Sequence, residues 1–296
     1  MSFHKLFTAR RRKRRPGAAI VNVVIPMTRM KALALLIAAS GYALAQTPII
    51  NQISNGASFA QDFPVTGGSL ISIFGSNLSS RTAQADSIPL STSLGGVTVH
   101  FVNGSTTMDG PMLYVQPNQT GAQSQINVQV PWNIVTAGTT STVNVVVSQG
   151  GTSSAPTPVT VGPFSPGIFA ADGFGIIQNS SDSTLAWPSG TIPGLLTHAA
   201  KAGDIVVIYA TGLGAVDVPV ADGQNSLDAK RTALTQPIVM IGGLTAQVQF
   251  AGLSPQFVGV NQLNVVVPNA VPGSQVPVQI QVGGLNSAPV FMAITQ

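Results

Sequence analysis

Residues 125–131 alternate apolar and polar side chains, with Ile126, Val128 and Val130 on one face and Asn127 and Gln129 on the other. That two-residue period predicts a strand with one buried face. Pro131 ends it, because proline has no N–H to give to a ladder. Gln262-Leu-Asn-Val-Val-Val-Pro268 repeats the stretch with the same Gln, Asn, Val and Pro placement. A chain that writes one strand twice invites a search for the neighbours of each copy.

Those neighbours pair off. Ser69–Phe74 and Gly203–Tyr209 are apolar on both faces, as in strands covered from two sides. Val143, Val145 and Val147 form one inward set, and Val276, Val278, Ile280 and Val282 the other. Gly150-Gly151 and Gly283-Gly284 then turn the chain toward Ser154-Ala-Pro156 and Ser287-Ala-Pro289. Val97, Val99 and Phe101 alternate with Thr98 and His100, and their second copy is expected at Ala246, Val248 and Phe250. That equation puts His100 on an outer face, at the position of Gln249. Short strands with turn signals about every ten residues describe a sandwich, and no long helical period competes. The expected fold is all-β: two tandem immunoglobulin-like β-sandwich domains after an N-terminal signal peptide. The first sandwich is placed at 46–163, a linker at 164–169 in a Pro/Gly-punctuated stretch, and the second sandwich at 170–296.

Charge belongs mostly to the leader, residues 1–45. The 296-residue chain has a formal charge of +4, yet nine of its thirteen Lys and Arg residues lie at or before Lys31. Beyond residue 45, four basic side chains face nine Asp and no Glu, a balance of −5. A nucleic-acid partner is therefore not expected, since its basic surface would have to sit on the folded domains. Met27–Lys31, an apolar run from Ala32, and the Ala43-Leu44-Ala45 site predict a signal peptide cut after Ala45. The apolar run is too short to span a membrane, so the mature chain is expected to be exported, with no integral membrane span. There is no cysteine, so stability must come from packing and ladders.

Several stretches together resemble the Solibacter-type C-terminal domain of secreted acidobacterial proteins. They are Phe164-Ser-Pro-Gly-Ile-Phe169, Gly203-Asp204, Tyr209-Ala-Thr-Gly-Leu-Gly214, Asp222-Gly223, Ile241-Gly-Gly243 and Gln262 through Pro268. Ser54-Asn-Gly-Ala-Ser58 and Gln125–Trp132 are similar to the half that precedes it, and each half resembles immunoglobulin-like domains of the IPT/TIG kind. The resemblance implies export and a sandwich fold. It implies no activity, so no catalytic residue is carried over.

The residues themselves offer little chemistry. A Ser-His-Asp hydrolase would have only His100 and His198 to use after the leader, and no G-x-S-x-G elbow is present. The Asp residues at 109, 172 and 222 each precede a glycine, which predicts turns rather than paired catalytic carboxylates. Asp217, Asp222, Asn225 and Asp228 gather oxygen ligands in one loop and form the candidate calcium site. Trp132 and Trp187 are the candidate sugar-stacking residues; joint exposure would favour a carbohydrate-binding module, and burial an interaction or structural module. The expected function is an exported, non-catalytic module without a cofactor, whose partner is a protein or a cell-envelope polysaccharide.

Overall fold

The computed structural model describes residues 46–61, 64–270 and 272–296, and among them every regular element is a strand. The leader, the predicted signal peptide and its cleavage site at Ala45 lie outside the described residues. Ala45–Gln296 form one compact unit that holds two separate apolar cores. One is built around Ile71, Val99, Phe101, Ile126 and Val145, the other around Val206, Ile208, Val239, Leu263 and Ile280. The described residues are thus all-β, two β-sandwich halves in tandem.

In the first half, one sheet runs in the order Ile49–Asn55, Leu70–Ser76, Ser124–Gln129, Met112–Gln116, Ala83–Gln84. The facing sheet centres on Val97–Asn103 and Ser141–Gln149. The duplicated stretch holds the same place in both halves. Ile71 pairs Val128 and Ile73 pairs Ile126, just as Val206 pairs Val265 and Ile208 pairs Leu263. Even the outward side chains repeat: Gln125 Nε2 donates to Asn127 Oδ1 at 2.9 Å, and Gln262 Nε2 to Asn264 Oδ1 at 2.9 Å.

One expected equivalence is wrong. Ala246, Val248 and Phe250 do not copy Val97, Val99 and Phe101. Val99 pairs Val147 and Val239 pairs Ile280, so Val97–Asn103 corresponds to the strand Ile238–Ile241. Leu244–Leu253 instead corresponds to Thr106–Asp109 plus Met112–Gln116, with a bulge at the same place, between Met112 and Tyr114 in one half and between Val248 and Phe250 in the other. His100 is therefore matched by Met240, not by Gln249. In the first half Pro111 breaks the strand, having no N–H for the ladder. In the second half the strand continues from one sheet into the other and joins them at a corner.

The stretch 164–169 does not run free between the sandwiches. Gly167–Ile168 pair with Thr211 and Ala210 at the edge of the second half's sheet, where Ile177–Asn179 also pair with Val206–Ile208. These two short strands together take the place that Ile49–Asn55 holds in the first half. The irregular segment between them is a small hairpin, Ala170–Ala171 against Phe174–Gly175.

Candidate functional site

A seam of hydrogen bonds joins the halves. Asn55 Nδ2 donates to the Ser165 carbonyl at 2.8 Å, and just before that crossing Thr66 Oγ1 ties down the end of the first half at the Pro163 carbonyl, 3.0 Å away. The Leu70 N–H donates to Thr211 Oγ1 at 3.0 Å. Asp222-Gly223 reaches across from the second half: Asp222 Oδ1 accepts the Trp132 N–H at 2.8 Å, and the Gly223 N–H donates to Gln129 Oε1 at 2.8 Å. The Gly223 carbonyl accepts the Leu90 N–H at 2.9 Å. Gln129, expected outward, is only 1% exposed because this seam covers it. Buried polar groups persist where they are paired, and here Asn55, Gln129, Thr211 and Asp222 find partners across the seam. Ser165, Thr211 and Asp222-Gly223, far apart in sequence, meet the first half at this seam, which sequence periodicity could not reveal.

Beside the seam lies a cleft of about 530 Å³, lined among others by Trp132, Val135, Pro163, Phe164, Val216 and Leu234. No ionisable side chain lines it among the described residues. Its size falls within the range of ligand pockets. Trp132 is half-buried, and a Cβ at Gly68 would overlap its ring, so the indole is held firmly. Its Nε1–H is buried without a hydrogen-bond partner. Leu234 is 66% exposed at the cleft.

Trp187 is elsewhere. It is 1% exposed, donates Nε1–H to the Gly175 carbonyl at 2.7 Å, and packs on Phe174 with ring centroids 5.3 Å apart. It presents no face to a sugar, and the paired-tryptophan surface does not form.

The four candidate calcium ligands, Asp217, Asp222, Asn225 and Asp228, are not drawn together. Among the described residues no three His, Cys, Asp or Glu side chains converge on a point where a metal ion could bind. Each candidate ligand lies in its own setting. Asp217 Oδ1 accepts the N–H groups of Val218 and Thr232, each at 2.8 Å. Asp222 is turned to the seam, and half-buried Asn225 shares no such cluster. Asp228 is taken by Arg231, at 2.7 and 3.0 Å. The loop's organiser is that cation. Arg231 is 5% exposed and also donates to the carbonyls of Val218 and Pro219 and to Ser226 Oγ. A guanidinium with five donors in a fixed fork suits a ring of carbonyls, and its charge opposes a second cation there. The sequence signal was available: one Arg among loop acids.

Burial pushes the Asp222 carboxyl above its ordinary value, partly offset by the Trp132 N–H. The Arg231 bond holds Asp228 low. His198 is raised, first by the bond its Nδ1 makes to the Ala199 carbonyl and then by Asp182, whose carboxylate lies 2.8 Å from Nε2. Asp182 is lowered to about 2, chiefly by the Thr184 N–H.

His100 lies opposite Asp109 on the neighbouring strand. Asp109, expected in a turn, ends the strand Thr106–Asp109 and reaches His100 Nδ1 at 2.6 Å. Both side chains are partly exposed on an open sheet face.

No family model and no curated protein matches the chain. Among solved structures it is similar to SGBP-B, from a complex xyloglucan utilization locus in Bacteroides uniformis, at 14% identity and TM-score 0.26. That match covers 84% of this chain and 50% of SGBP-B, so the chain spans about half of that protein. Domains 5–6 of the S-layer protein SbsC match at 12% identity and TM-score 0.24, covering 84% of this chain and 99% of theirs. A complex of Dpr2 Ig1-Ig2 with DIP-Theta Ig1-Ig3 matches at 9% identity and TM-score 0.20, covering 85% of this chain and 100% of the other.

Proposed function

We propose that residues 46–296 are an exported, non-catalytic interaction module, and that the cleft at the seam receives an uncharged, largely apolar segment of a partner protein. The observation that carries this is the cleft's lining: Val135, Pro163, Phe164, Val216 and Leu234 with no ionisable side chain. A charged ligand would lose hydration there without gaining a counter-charge. The seam bonds hold both walls in place before binding, which reduces the ordering cost of association.

A cell-envelope polysaccharide is the second candidate, favoured by Trp132, Asn133, Thr136 and Thr235 on the same lining. An aromatic ring beside amide and hydroxyl groups is the mixture that holds a sugar.

The test is capture of envelope fractions by immobilised residues 46–296 and by Leu234→Asp, whose side chain is exposed enough to leave the fold intact. Capture should be lost in the variant. Sensitivity of the captured material to protease or to periodate separates the two partners. Undiminished capture by Leu234→Asp would remove the cleft as the binding site.

A further inference from the structure

Asp109, His100 and Ser148 stand side by side on three neighbouring strands of the first half's second sheet. Asp109 is directly opposite His100, and Ser148 is opposite Thr98, two residues along from His100. Asp109 Oδ1 lies 2.6 Å from His100 Nδ1, and Ser148 Oγ lies 2.9 Å from His100 Nε2. Ser153 Oγ is 2.9 Å from Ser148 Oγ. A carboxylate accepting from Nδ1–H leaves the lone pair on Nε2, where it accepts the Ser148 hydroxyl proton. Ser153 then donates to Ser148, and every member of the line has a consistent role.

We propose that Ser148 is a base-assisted nucleophile that takes up an acyl group from an activated ester. In that step Ser148 Oγ forms a bond to the acyl carbon while its proton passes to His100 Nε2. The ester C–O bond breaks, and the leaving oxygen departs with the electron pair and takes the proton from Nε2. Atoms and charges balance with no metal or oxidant. Asp109 is a positioning residue that fixes the tautomer.

The surroundings limit the chemistry to that one transfer. Ser148 sits in a strand paired on both sides, with Thr98 and with Ser153. Its backbone neighbours are committed to the ladder rather than arranged as a pair of N–H donors for an oxyanion. Acylation therefore needs a good leaving group, and the acyl group stays on Ser148 instead of being hydrolysed rapidly. This is a modification site on an open face, independent of the cleft.

The experiment treats residues 46–296 with a fluorophosphonate probe and, separately, with p-nitrophenyl acetate. Peptide mass spectrometry should place one adduct on Ser148, and the acetate should release about one equivalent of p-nitrophenolate without continuing turnover. Ser148→Ala should abolish the adduct, and Ser153→Ala should retain it. His100→Ala should slow labelling by about 10²-fold or more, the usual worth of a general base, with recovery when imidazole is added. All these side chains are partly or fully exposed, and an unchanged Tm confirms that the variants remain folded. No adduct at Ser148, or labelling indifferent to His100→Ala, overturns the proposal. Continuing turnover that depends on Ser148 would uphold the nucleophile and instead overturn the non-catalytic function proposed for the module.

Discussion

The Trp132 N–H donates to Asp222 Oδ1 across 2.8 Å, although the two residues are 90 positions apart. This bond ties the end of the first half's duplicated strand to a loop of the second half. Asp222→Ala leaves the N–H without its acceptor and should cost about 1–3 kcal/mol. Asp222→Asn keeps an oxygen in place and removes a desolvated charge, so it should cost much less. Urea denaturation of both variants checks the order. An Asn variant as unstable as the Ala variant would mean that the charge, not the bond, holds the seam.

Acidification should lower stability, with Asp222 working against the trend. Asp182 is held at about 2 against an ordinary 3.8, and Asp217 and Asp228 are also lowered, by the Thr232 N–H and by Arg231 respectively. Carboxylates depressed in the fold stabilise it above their unfolded values, and that contribution is lost as pH falls through the folded ones. Asp222 has the opposite sign: burial raises it, so the fold gains as it protonates. Asp222→Asn removes that gain. Its urea midpoint should fall more steeply than that of the wild type between about pH 5 and pH 2. Parallel slopes would show that Asp222 is not desolvated in solution.

Arg231 should prove more important to its loop than any of the acids around it. Its guanidinium satisfies the carbonyls of Val218 and Pro219 and the hydroxyl of Ser226. Arg231→Met fills the space but leaves those acceptors unpaired, and should cost about 2 kcal/mol. Arg231→Lys should be only partly corrective, since one ammonium cannot reproduce the fork. Hydrogen exchange should show the loss confined to residues 215–233. Calorimetric titration of the wild type with calcium should show no saturable binding by Asp217, Asp222, Asn225 and Asp228.

What the sequence revealed follows from what periodicity encodes. A strand with one buried face announces itself by alternation, and Ile126, Val128, Val143, Val145 and Val147 are buried as that alternation predicts. Alternation does not fix register. The hairpin from Val239 to Ala246 is four residues shorter than the one from Val99 to Gly110, so the next strand along, of similar pattern, mimics the expected copy. A slip in register changes every equivalence along the strand, which is why Met240 rather than Gln249 answers to His100. The seam was illegible for another reason. Asn55, Gln129, Thr211 and Asp222 are polar residues whose burial depends on the opposite half, and nothing local distinguishes them from surface or turn positions.

Cleavage of the leader should leave Gln46 as the mature N-terminus, because Ala43 and Ala45 frame a small-residue site behind a short apolar run. Intact mass of protein recovered from the culture medium or the envelope checks it, allowing for cyclisation of the terminal Gln. A mature chain that retains residues 30–45 would remove the signal-peptide expectation and leave an anchored protein in its place.

The duplication should also be visible in energetics, at Ser154 and Ser287. Each serine N–H donates to a carbonyl seven residues back, Val147 at 2.9 Å and Ile280 at 2.7 Å. Each hydroxyl in turn accepts the N–H of that same residue, at 3.0 Å in both halves, and donates to the next carbonyl, Ala155 or Ala288, at 3.0 Å. A proline follows two positions later in both, where the strand leaves its ladder. The hydroxyl thus supplies the acceptor that the departing backbone cannot. Ser154→Ala and Ser287→Ala each strand one buried N–H, and each should cost about 1–3 kcal/mol. Because the two sites serve separate cores, the double variant should show the sum of the two losses to within about 0.5 kcal/mol. Denaturant midpoints of the three variants decide the matter. A large loss at one serine and none at the other would show that the shared geometry does different work in the two halves.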